Sequence, residues 1–96
     1  MIIIKVKVRF KASNTFPNLN YAYRPHFVVN GDNELLGIEF LKSDLIKFDV
    51  FGVATVKLLY DNVGYHKLKN GVCFDIIEGG DKIVGEGYVL EELTYK

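Results

Sequence analysis

Two histidines, one cysteine and a group of acids near one turn are the residues with the most chemical potential in this chain. His26 and His66 lie on different segments, and neither has a second His or Cys at the short spacing of a zinc site. Cys73 is the only cysteine, so no intrachain disulfide can form; set between Val72 and Phe74, it reads as a buried structural thiol. Asp75, Glu78, Asp81 and Glu86 fall around one turn. Paired carboxylates can carry out acid–base work, but these stand on an open hairpin and read as solvated acids. Ser13 and Ser43 lack a nucleophile-elbow pattern, and no Gly-x-x-x-x-Gly-Lys-Ser/Thr phosphate loop occurs. These absences argue for neither an enzyme nor a site for a metal, cofactor or nucleotide.

The elements that position these groups show a period of two. From Ile2 to Lys11, Ile4, Val6, Val8 and Phe10 share one face while Lys5, Lys7, Arg9 and Lys11 share the other. Successive side chains of a strand point to opposite faces, so this is a half-buried strand with a cationic outer row. The row reads as a solvated face or a guard against edge pairing before it reads as a binding stripe. Further strands are expected at Phe27–Asn30, Leu35–Leu41, Val53–Tyr60, Val72–Ile77 and Ile83–Leu90. Asn30-Gly31-Asp32, Asp61-Asn62, Asn70-Gly71 and Gly79-Gly80 supply the turns between them. Several short strands at this spacing define an all-β sandwich or small barrel. One helical turn fits Ser43–Lys47, and residues 12–25 form a long polar loop of the kind that often carries function.

At 96 residues there is room for one core, and a hydrophobic content of 49% is ample for it. Twelve basic residues balance twelve acidic ones, so the cationic excess of a general nucleic-acid binder is missing. The apolar run Ile2-Ile3-Ile4 ends at Lys5, short of the roughly 7–15 residues of a signal-peptide core, and no stretch reaches the ~18 of a membrane span. A cytoplasmic location is the default expectation.

Two blocks add a family resemblance. The first is Tyr23-Arg24-Pro25-His26-Phe27. The second is Gly71-Val72-Cys73-Phe74-Asp75-Ile76-Ile77-Glu78-Gly79-Gly80, continued by Ile83-Val84-Gly85-Glu86-Gly87-Tyr88-Val89-Leu90. In this order they resemble the third domain of elongation factor Tu-type translation GTPases, here as a stand-alone domain without the GTPase. The resemblance implies a six-stranded antiparallel Greek-key β-barrel. Physically, Pro25 should begin a strand or lie on an edge. Arg24 can tie the long loop down through carbonyls or a carboxylate, and Gly85 and Gly87, on one face, permit a bend, a bulge or close backbone approach.

The family's third domain touches the T stem of tRNA at positions that here hold His26, Leu36, Glu78 and Gly79. Its usual arginines around the turn are replaced by Ile77 and Asp81, leaving Lys82 as the nearby cation. The barrel docks against neighbouring domains in that family, so a non-catalytic module engaging a protein partner is implied, in one form by mimicry of the factor. The residues expected to take part are Arg24, His26, Leu36, Glu78, Gly79 and Gly80. The alternative is RNA or tRNA binding through the Glu78-Gly79-Gly80 turn with Lys5, Lys7, Arg9 and Lys82. Six tyrosines supply interface-type side chains. Phe48 and Phe51, flanking Asp49-Val50, offer either an exposed apolar knob or closure of the barrel.

Overall fold

Strict alternation in the first strand sets the inside of the molecule. Ile4, Val6, Val8 and Phe10 are all buried, and the residues between them are half-buried. Such a one-sided strand needs apolar faces around it, and the chain supplies five more. In the computed structural model, which describes residues 2–12, 22–44, 47–59 and 63–94, the strands are β1 (Ile2–Phe10), β2 (His26–Val29), β3 (Leu36–Ser43), β4 (Gly52–Leu58), β5 (Cys73–Glu78) and β6 (Lys82–Thr94). They close in the order β1-β4-β3-β2-β5-β6, with β6 returning to β1, and every neighbouring pair is antiparallel. Three hairpin-connected strands, β2 to β4, with β1 beside β4 form a Greek key.

Among the described residues closure leaves no free sheet edge, so the cationic row of β1 does not guard one. β1 is paired along both sides, with β4 and with β6. Curvature comes from register shifts: Leu41 of β3 is passed over between the Phe40–Val56 and Lys42–Thr55 pairs. Val84 and Leu90 of β6 are passed over in the same way against β5 and β1. A bulge bends its strand and increases its twist, which a six-stranded barrel needs.

The interior is aromatic and aliphatic. Phe27 and Phe74 stack at 3.9 Å between centroids and 14° between planes, with Phe40 edge-on to Phe27. Burying each such side chain contributes roughly 1.5–3 kcal/mol. Gly85 and Gly87 make room for this cluster from β6: a Cβ on Gly87 would lie 2.3 Å from the Lys7 carbonyl oxygen and 3.0 Å from Phe74 Cζ. At Gly85 it would lie 2.5 Å from the Arg9 carbonyl oxygen. The close backbone approach expected of these glycines is therefore present.

Several local expectations change. Cys73 is exposed, because Phe74 and Ile76 face the interior and alternation turns Cys73 and Asp75 outward. β6 continues to Thr94, four residues past Leu90, because the bulge at Leu90 restores pairing of Glu91 with Lys5. A 3₁₀ turn at Val63–Lys67 was not foreseen. It closes one end of the barrel with buried Tyr65, whose hydroxyl donates to the Gly37 carbonyl, and is followed by buried Leu68. Lys67 reaches Asp32 Oδ2 at 2.5 Å and Glu34 Oε1 at 3.0 Å across the β2–β3 turn. These contacts lower the Asp32 carboxyl below its usual range and raise the Lys67 ammonium, chiefly through their mutual hydrogen bond. The Asp61-Asn62 turn, most of the 12–25 loop and the middle of Ser43–Lys47 lie outside the described residues.

Candidate functional site

The opposite end of the barrel is where β1, β3 and β5 finish and β2, β4 and β6 begin. Most residues singled out in the sequence lie toward this end. Pro25, buried, directly precedes β2 and accepts a hydrogen bond from the Ile38 amide through its carbonyl, at 3.2 Å. Tyr23 packs its ring against Phe40 and Phe10, at 5.4 and 6.2 Å between centroids. Its hydroxyl donates to Glu78 Oε2 at 2.5 Å, joining the entry of β2 to the last residue of β5. Burial first, then this hydrogen bond and the Glu78 charge, holds the Tyr23 phenol well above its ordinary pKa.

Glu78 thus turns back to the barrel while Gly79 and Gly80 stand exposed beyond it. Both glycines have positive φ, 63° and 87°, with open space around their α-carbons. Arg24 Nε bonds Glu39 Oε1 at 2.8 Å, which supplies the carboxylate tether expected of it. His26 pairs with Gly37 on one side and Ile77 on the other. Leu36 does not join this surface: at 1% exposure it belongs to the core with Ile38 and Phe40, since Glu39 occupies the outward phase of β3. A surface role for Leu36 is therefore corrected to a packing role.

The cationic row is also altered by its neighbours. Arg9 Nη2 is 2.9 Å from Glu86 Oε2, and its guanidinium lies 4.8 Å from the centre of the Phe51 ring. Lys5 stands opposite Glu91, and Lys82 opposite Glu78. Lys7 is flanked by Val53 and Tyr88 instead of an acid. Of the acids, Asp75 and Glu86 face each other across β5 and β6, while Asp81 sits in the exposed turn. Among the described residues, no group of three or more His, Cys, Asp or Glu side chains is placed to hold a metal, and no helix is long and apolar enough to cross a membrane.

Phe48 and Phe51 divide the two roles open to them. Phe48 is half-buried, packs on the core and bridges to Phe10, closing the barrel. Phe51 remains 37% exposed and Val50 55% exposed, with the Tyr88 ring 6.0 Å from that of Phe51. Val50, Phe51, Tyr88 and Arg9 form a mixed apolar, aromatic and cationic patch. Its Arg9 and Tyr88 were not connected to Phe51 from the sequence, because β6, β1 and β4 meet only when the barrel closes. Comparison with known proteins returns no matching family model, curated protein or solved structure.

Proposed function

We propose that this barrel is a non-catalytic binding module whose partner is a protein, as its resemblance to the third domain of elongation factor Tu-type GTPases implies. The observation that carries the reading is the exposed Val50–Phe51 pair beside Arg9 and Tyr88. Aromatic residues and Arg are enriched where protein interfaces concentrate their binding energy, and charged residues are depleted at interface centres. The competing RNA reading draws less support. Arg9 and Arg24 are engaged by carboxylates, and Lys82 has an acid opposite it in the ladder. Phosphate recognition draws on cations free to replace counterions.

The test is affinity capture from the source cell's lysate with wild-type protein and Val50→Asp, with and without ribonuclease. The expected result is a protein retained after ribonuclease and moderate salt, and lost with Val50→Asp. Loss of all captured material on ribonuclease treatment sinks the proposal in favour of RNA binding. Because Val50 is more than half exposed, the substitution should leave folding intact.

A further inference from the structure

The ladder through β1, β4 and β3 places Lys5 opposite Thr55, and Thr55 opposite Lys42. All three side chains are on the outer face, since Ile4, Val6, Ala54 and Val56 occupy the inner one. Strands lie about 4.8 Å apart, so about 10 Å separates the stems of the two lysines, with the short threonine between them. A groove of about 410 Å³ follows, lined by these three residues with Val53, Ser43 and Asp44. The groove is shallow and open to solvent, so it suits a small, hydrated anion.

Arg9, Arg24 and Lys67 each contact a carboxylate, whereas neither Lys5 nor Lys42 forms an ion pair among the described residues. Two ammonium groups flanking one hydroxyl gain most from a compact anion shared between them. A lysine has a flexible four-carbon stem and three donors, and Thr55 adds a hydroxyl donor. The opposing charges nearby are Asp44, on the groove itself, and Glu91, on the far side of Lys5.

We propose that this groove binds a phosphate group of a small ligand, held between Lys5 and Lys42 with a hydrogen bond from Thr55. The inference is independent of the protein-docking patch. It also groups Lys5 with Lys42 and not with Lys7 and Arg9.

The probe is pyrophosphate, titrated into ¹⁵N-labelled full-length protein at an ionic strength held constant with sodium chloride. Saturable amide shifts are expected at Lys5, Lys42, Asp44, Val53 and Thr55. Lys5→Gln and Lys42→Gln should each weaken binding about tenfold, and Lys7→Gln should change it less than about twofold. Asp44→Asn should tighten binding, because it removes a repulsive charge. Unchanged spectra outside the groove will show that each variant is folded. Absence of saturation, equal effects of Lys7→Gln and Lys42→Gln, or weaker binding by Asp44→Asn would overturn the site. So would stronger binding of a short single-stranded RNA with shifts centred on Lys7 and Arg9, which returns the cations to the RNA reading.

Discussion

Tyr23→Phe removes one oxygen from the end of the barrel and leaves the ring that packs on Phe10 and Phe40. What is lost is the hydroxyl donated to Glu78, a link between residues 55 positions apart in sequence. A hydrogen bond to a charged group contributes about 1.5–3 kcal/mol. Glu78 is half-buried and water can replace part of the interaction, so the expected loss at pH 7 is about 1–2 kcal/mol. The phenol also makes a pH prediction. Its pKa is raised in the folded protein, so the folded state holds this proton after the unfolded chain, with its ordinary phenol pKa of about 10, has released it. Its contribution is complete below pH ~10 and declines above it by about 1.4 kcal/mol per pH unit, toward the folded-state value. Urea melts of wild type and Tyr23→Phe between pH 7 and 11.5 will read the difference directly, since other titrating groups are common to both. Wild type should be the more stable at pH 7, lose its advantage near pH 11 and be the less stable above that. A stability difference that stays constant through this range would refute the linkage between Tyr23, its burial and Glu78.

Gly87→Ala should destabilise by about 2–4 kcal/mol in the same melts, because the new methyl meets the Lys7 carbonyl within the β1–β6 ladder and relief requires backbone movement. A cost below 1 kcal/mol would show that the two strands are less closely apposed. Cys73 should react with a thiol reagent in the native protein, one equivalent per chain and without denaturant; reaction only after unfolding would restore the buried reading. Arg24→Gln should cost about 1–2 kcal/mol, since 59% of the Arg24 side chain is exposed but the Glu39 carboxylate is only 15% exposed and keeps Lys57 opposite it in the ladder; a larger loss would assign Arg24 a structural task beyond that tether.

What the sequence made legible follows from where its alternation was unambiguous. β1 could be read residue by residue from Ile4 onward, because there one face is apolar and the other cationic. In Leu35-Leu36-Gly37-Ile38-Glu39-Phe40-Leu41 both phases hold apolar residues, and only Glu39 marks the outward one. That acid already assigned Leu36, with Ile38 and Phe40, to the interior, against the surface role taken from the family pattern. For Cys73 the marker lay on its carboxy-terminal side, where Asp75 shares its phase; Phe74 and Ile76 take the inner phase and meet Gly87 and Gly85 on the next strand. Bulges hid more, because the shift at Leu90 breaks the period at the point where Glu91 resumes pairing.

The candidate sites were least legible because they lie across ladders that no hairpin joins. Tyr23 reaches Glu78 across β2 and β5, while Arg9 reaches Glu86 across β1 and β6. The Lys5–Thr55–Lys42 row spans β1, β4 and β3, of which only β3 and β4 are connected directly. Hairpin neighbours can be inferred from a turn, but these neighbours depend on the two crossover connections and on closure. Single substitutions can therefore mix the loss of a side chain with a disturbance of its own strand. Double-mutant cycles across the closing ladders separate the two: Tyr23 with Glu78, and Arg9 with Glu86, should show coupling, while Tyr23 with Arg9 should be additive to within about 0.5 kcal/mol.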